Sequence, residues 1–328
     1  MGRSALIAML LLTACTPGAK PAPKETNVAK PKPVAAAADD DEAPEPVIVI
    51  KPKPGHIAVQ SSVRGYSLIP TDALPRIERA RASVAMCDDW GEIDPQTPGG
   101  KAAKALGWRV TEEQPIGRLT AVTILRRYQR WAGIPCVPLT SKIAFFDAGT
   151  IVAVLDPEPN PILSPAAFAR MADGALRIWT TMPSPPIGDL TFDGKTLRLS
   201  ATAPVDTVCD GRVKIPNLFR KPIRQAREIV MKAGWKPYRP DGPIDRETDA
   251  SEYYRYYRKG ITEIDHCAVD SVGQCLFYYR SRLGVLRVET GQLNDADREG
   301  VLNYELQCRD RSGKLGPAPW KMRGGSYY

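Results

Sequence analysis

The chain has 328 residues and a formal charge of +8 at neutral pH, from 45 Lys and Arg against 37 Asp and Glu. Its two histidines, His56 and His266, leave little material for histidine-based acid–base chemistry. The basic excess sits late: residues 210–328 hold 22 basic and 16 acidic side chains, and residues 55–209 hold 16 and 15.

In chain order, Arg3 precedes an apolar run from Ala5 to Leu12 and the small residues Thr13 and Ala14. This is the pattern of a secretory signal, too short for the ~20 residues of a membrane-spanning helix. Leu12-Thr13-Ala14-Cys15 resembles the lipobox of bacterial lipoproteins. The resemblance implies that the Cys15 sulfur carries a diacylglycerol, that residues 1–14 are removed, and that the new amino terminus is acylated. Thr16 stands where the family's inner-membrane retention signal has Asp, so the expected location is the outer membrane, lipid-anchored and facing the periplasm. Residues 15–55 read as a flexible tether: positions 16–54 hold nine prolines and no aromatic residue, too little apolar surface to offset chain entropy. Extended, the tether reaches on the order of 100 Å. Val47-Ile48-Val49-Ile50 is its one apolar patch, either a short docked strand or unpaired apolar chain.

The remainder is long enough for two domains, expected at 56–205 and 206–328. In the first, Thr71-Asp72 followed by ALPRIERARASVAM predicts a helix from Ala73. GEIDPQTPGG reads as a loop and KAAKALGW as a short helix stopped at Gly107. RLTAVTILRRYQRW fits helix or strand. SKIAFFDAG and TIVAVLD predict a buried hairpin turning at Asp147-Ala148-Gly149. Ser164-Pro165 predicts the start of a helix over AAFARMADG, and DLTFDGKTLRLSA a hairpin with Asp193-Gly194 as its turn.

In the second, VKIPNLF predicts a strand, and Pro222 opens a helix whose apolar stripe is Ile223, Ala226, Ile229, Val230 and Ala233, ended by Gly234. ITEIDHCAV, QCLFYYRS, GVLRVET and VLNYELQC predict antiparallel strands. The sum is an α+β fold: a lipidated N-terminus and disordered tether, then two small antiparallel-sheet domains with a few helices, stapled by disulfides. The V-x-I-P strand at Val213–Pro216, the helix with Ala226-Arg227 and Ala233-Gly234, and the return strand resemble, over residues 213–238, the opening of a PASTA module of bacterial cell-wall receptors. The module's second half, with its Pro-Gly turn, is not evident, and no ligand residues are carried over. Any strand-helix-strand packing asks for the same residue types, and that plainer reading is preferred.

Beyond Cys15, six cysteines remain, an even number for an oxidising compartment. Of fifteen pairings, placement favours Cys87 with Cys136, Cys267 with Cys275 across AVDSVGQ, and Cys209 with Cys308. No CxxC exists and His266 adjoins Cys267, so no metal or other cofactor is expected.

The stretch SEYYRYYRKG interleaves Tyr253, Tyr254, Tyr256 and Tyr257 with Arg255, Arg258 and Lys259, a pattern that stacks sugars and grips anions, or that leans tyrosines on a core and solvates arginines. No catalytic residue is assigned: GxSxG, HExxH and Ser-x-x-Lys are missing, Pro98-Gly99-Gly100-Lys101 lacks the rest of a phosphate loop, and the Asp88-Asp89 doublet alone cannot flank a glycosidic bond. For an exported chain the available polyanions are lipid headgroups, lipopolysaccharide and cell-wall polymers; nucleic acid is not expected. The expectation is a non-catalytic binding or scaffolding body facing peptidoglycan or an envelope protein assembly. The alternative is an envelope enzyme acting on glycan or peptide with a dispersed site.

Overall fold

The computed structural model describes residues 48–50, 57–78, 87, 91–131, 134–157, 164–180, 185–240, 251–267, 273–293 and 299–319. All belong to one unit, Pro44–Tyr328. The signal segment, Cys15, most of the tether, His56 and the Asp88-Asp89 doublet lie outside the described residues. The elements run β1 (Ile48–Ile50), β2 (Ala58–Ser61), β3 (Tyr66–Pro70), α1 (Pro98–Ala105), β4 (Arg109–Ile116), β5 (Leu119–Leu125), β6 (Arg127–Trp131), β7 (Ile134–Leu139), β8 (Lys142–Asp147) and β9 (Thr150–Pro157). There follow β10 (Pro165–Arg170), β11 (Leu176–Thr180), β12 (Gly188–Phe192), β13 (Thr196–Ser200), β14 (Val205–Val208), β15 (Val213–Pro216) and α2 (Ile223–Lys232). The last are β16 (Lys236–Tyr238), α3 (Ser251–Tyr257), β17 (Ile264–Cys267), β18 (Cys275–Ser281), β19 (Gly284–Gln292) and β20 (Glu299–Cys308). The fold is α+β, with antiparallel sheets predominating.

Two large sheets build most of the N-terminal part, beside the two-stranded sheet β6-β7. One has the order β1-β2-β13-β12-β11-β10, the other β3-β9-β8-β5-β4. The apolar end of the tether is a strand: Ile48–Ile50 pairs antiparallel with β2, whose other side runs parallel to β13. Strand alternation explains the layering. Ile143, Phe145, Ala153 and Leu155 point into a core shared with Val59, Leu176, Ile178, Leu190 and Leu197 of the first sheet. Their neighbours Ala144, Phe146 and Val154 point the other way, onto Ala103 of α1, Trp108 and Leu74. The second sheet is therefore buried on both faces, which is why IAFF and IVAVL read as unbroken apolar runs. Each large side chain so buried contributes roughly 1.5–3 kcal/mol of transfer free energy.

The expected hairpin at 142–157 is present, with Ala148 and Gly149 both at positive φ in its two-residue turn. In the hairpin of β12 and β13 the turn is Gly194-Lys195, one residue later than expected, because the Asp193 carboxylate caps the Lys195 and Thr196 amides and draws Asp193 into the ladder end. RLTAVTILRRYQRW is two strands, β5 and β6.

Two helix expectations are corrected. Residues 73–78 form no helix: the Ile77 N–H donates to the Leu106 carbonyl and the Trp108 indole N–H to the Pro75 carbonyl, so this backbone is spent on the end of α1. Residues 79–86 lie outside the described residues. AAFAR is the strand β10, not a helix. It closes an edge on β11, and its Phe168 amide donates to the Glu112 carboxylate, so sheet pairing overrides the Ser-Pro start signal. PGGK also differs from a loop, since α1 begins at Pro98.

The C-terminal body is a sheet of order β16-β18-β19-β20, with β17 on the same edge of β18 as β16. Helix α2 covers it with Ile223, Ala226 and Val230, while Ala233 of the expected stripe is exposed. Strands β15 and β16, on either side of α2, lie in different sheets. The disulfides are Cys87–Cys136, Cys209–Cys308 and Cys267–Cys275, the pairing favoured by the sequence.

A buried ion network joins the two parts. The Arg177 guanidinium donates to both oxygens of Asp189 at 2.8 and 2.9 Å and to both of Asp206 at 2.7 Å. The Tyr304 hydroxyl donates to Asp206, and Phe219 stacks against both Arg177 and Tyr304. Burial by itself would lower the Arg177 pKa, but the four hydrogen bonds to carboxylates outweigh it and hold the guanidinium above its ordinary range.

Candidate functional site

The segment before α2 is held by a reciprocal backbone pair. The Arg220 N–H donates to the Val301 carbonyl at 2.9 Å, and the Val301 N–H to the Lys221 carbonyl at 3.0 Å. Gly300 permits this approach, since a Cβ there would lie 2.8 Å from the Arg220 carbonyl oxygen. The pairing sets the first turn of α2 beside Glu299 and α3. Between them lies an open cleft of about 240 Å³, lined by Pro222, Ile223, Arg224, Arg255, Tyr256, Lys259 and Glu299.

Helix α3 presents its side chains by core anchoring. Tyr256 is buried, its ring edge-on to Phe277 at 5.4 Å, and its hydroxyl donates to Glu299. Arg255, exposed, donates to the other Glu299 oxygen at 2.9 Å and lies over the Tyr256 ring. Thr290 Oγ1 donates to Glu299 at 3.1 Å. Glu299 is thus a clamp on Arg255 and Tyr256. Arg224 and Lys259 are exposed, and neither has an ion-pair partner among the described residues. The α2 terminus has no side-chain cap and no acidic residue in its first turn; the first bond back to the cap is Ala226 N–H to Pro222 O, so the amides of Ile223, Arg224 and Gln225 precede it.

Of the seven residues singled out in SEYYRYYRKG, the structure brings Arg255, Tyr256 and Lys259 into the cleft. Tyr254 leans on the core, Tyr257 and Arg258 are exposed away from the lining, and the Tyr253 side chain lies outside the described residues. Sequence reasoning missed Arg224 and Glu299. A cation in a first turn opposes the helix dipole, and that was a readable signal for Arg224; Glu299 had none.

Other candidates are filled by the chain itself. At the start of α1 the Glu113 carboxylate accepts from the Gln96 and Thr97 amides and the Thr97 hydroxyl, and Thr97 in turn accepts from the Gly100 amide. The PGGK turn therefore holds a carboxylate of its own. A smaller cavity of about 50 Å³ touches Arg177, Asp189 and Asp206, whose hydrogen bonds are spent on each other, on the Tyr304 hydroxyl and on the Ala203 amide. His266 is exposed and 3.2 Å from Asp265. Among the described residues no group of three or more His, Cys, Asp or Glu is placed to hold a metal ion.

No family model matches the chain, and no curated protein and no solved structure matches it.

Proposed function

We propose that the chain is a cell-envelope lipoprotein, held at the outer membrane by acyl chains on Cys15, whose folded body binds peptidoglycan without turning it over. The observation that carries the reading is the cleft between α2 and α3, where Arg224, Arg255 and Lys259 converge beside the Tyr256 ring. Cations beside an aromatic ring suit an anionic, hydroxylated polymer, and in the periplasm the cell wall is such a polymer. Two or more acyl chains give stable attachment at ~0.8 kcal/mol per buried CH₂, so contact with the wall has only to position the body. Among the described residues no helix is long and apolar enough to cross a membrane, which is compatible with a lipid anchor.

The test is sedimentation of the mature full-length chain with purified sacculi, beside crosslinking in intact envelopes. Retention without soluble fragments, reduced by R224A/K259A, is expected. Release of soluble fragments would replace this reading with the enzymatic one. A crosslinked protein partner without sacculus retention would replace it with a scaffold in an envelope assembly. Mass spectrometry of the native amino terminus should find Cys15 as the first residue and acylated.

A further inference from the structure

The charge balance of the cleft narrows its ligand. Three cations and one carboxylate line it, and Arg255 already answers Glu299. Among the described residues Arg224 and Lys259 are left as an unmatched pair of positive charges. Arg224 stands in the first turn of α2, where the helix macrodipole is itself positive and no acidic side chain compensates. Local rules are broken here with no compensating partner among the described residues, a pattern that accompanies function. Two carboxylates would satisfy both cations.

The lining is not purely cationic, and this separates ligand classes. Glu299, already the acceptor for Arg255, Tyr256 and Thr290, adds carboxylate oxygens to the rim. Fully ionised sulfate offers them only further acceptors, and hydrogen phosphate only its own hydroxyl. A peptide offers carboxylates to Arg224 and Lys259 and amide or ammonium donors to Glu299. The volume, about 240 Å³, is below that of a drug-sized pocket and suits one or two residues.

We infer that the cleft between α2 and α3 is a recognition site for a short acidic peptide bearing at least two free carboxylates and an amine. The inference rests on the reading of this cleft as the chain's contact site. Arg224 and Lys259 take the carboxylates, while Glu299, held by Arg255 and Tyr256, takes the donor.

The test is a titration of the full mature chain, with its disulfides formed, by the dipeptide Glu-Glu, followed through the backbone amide resonances of Ile223, Arg224 and Gln225. Glu-Glu should shift them saturably, and Gln-Gln should bind at least tenfold more weakly. R224Q/K259Q should weaken Glu-Glu by roughly tenfold or more, an ordinary cost for lost charge-assisted contacts, with the melting temperature unchanged. Silent amides, equal binding of Gln-Gln, or an undiminished double variant would overturn the inference. So would inorganic phosphate binding as tightly as Glu-Glu, which would make the cleft a simple oxyanion site. Failure here is distinguishable from failure of the wall-binding reading. Glu-Glu binding without sacculus retention removes only the wall, and retention without Glu-Glu binding removes only the peptide.

Discussion

Arg177 and Glu289 are two charged residues that lie largely out of water with opposite consequences. Arg177 is matched on every side by Asp189 and Asp206. Removing it strands two buried carboxylates, and R177M should cost about 3–5 kcal/mol in urea unfolding. Removing all three charges together, in R177M/D189N/D206N, should cost less than R177M alone; a larger loss would mean that the ions stabilise by more than their mutual compensation. Glu289 is the reverse case. Burial lifts its carboxyl above the usual range against the pull of Arg287, with Glu305 adding to the rise. The folded state then holds the proton more tightly than the unfolded chain, where glutamate titrates near about 4.3. Its contribution to stability is full below that pH and is lost as pH rises through the folded value. The melting-temperature difference between wild type and E289Q should therefore fall from about pH 4 towards neutrality. A difference that stays level or widens would contradict the assignment.

At the scale of elements, the covalent links and the close packings set the order of stability. By loop closure, Cys209–Cys308 spans 99 residues, Cys87–Cys136 spans 49 and Cys267–Cys275 spans 8. Chain entropy assigns them about 4.7, about 4 and about 2.5 kcal/mol. Paired Cys→Ala variants should fall in that order in thermal melts, and a largest loss at Cys267–Cys275 would refute the entropic account here. Gly100 is fixed by contact: a Cβ would strike the Glu113 carboxylate and the Pro95 ring, so G100A should lose about 1–3 kcal/mol and release the cap of α1. These elements also show what the sequence could carry. Hairpin turns, the stripe of α2 and the cysteine pairs were readable because their signals are local or few in kind. The strand β10 was not: its partner β11 is near, but the Glu112 carboxylate that takes its Phe168 amide lies 56 residues away in sequence, and no local signal announces it. Half the cleft was readable for the same reason. The aromatic–basic run of α3 is contiguous, whereas Arg224 and Glu299 are distant in sequence and are brought to it by the Arg220–Val301 backbone pair and by the bonds of Glu299 to Arg255 and Tyr256.

Across the whole molecule, a layered N-terminal part and a C-terminal body meet at Arg177 and Asp206, and the basic cleft sits in the C-terminal part, where the positive excess lies. Residues Ile48–Ile50, at the end of the proposed tether, enter as the edge strand β1, and under the proposed anchoring this is where a pull from the membrane would be received. In this reading the anchor supplies location and the cleft supplies contact. The direct test is amide hydrogen exchange on the full mature chain with and without solubilised cell-wall fragments. Added protection should concentrate at residues 220–225 and 254–259 and vanish in R224A/K259A. Protection elsewhere, or none at saturating fragment, would contradict a cell-wall-binding role for the cleft.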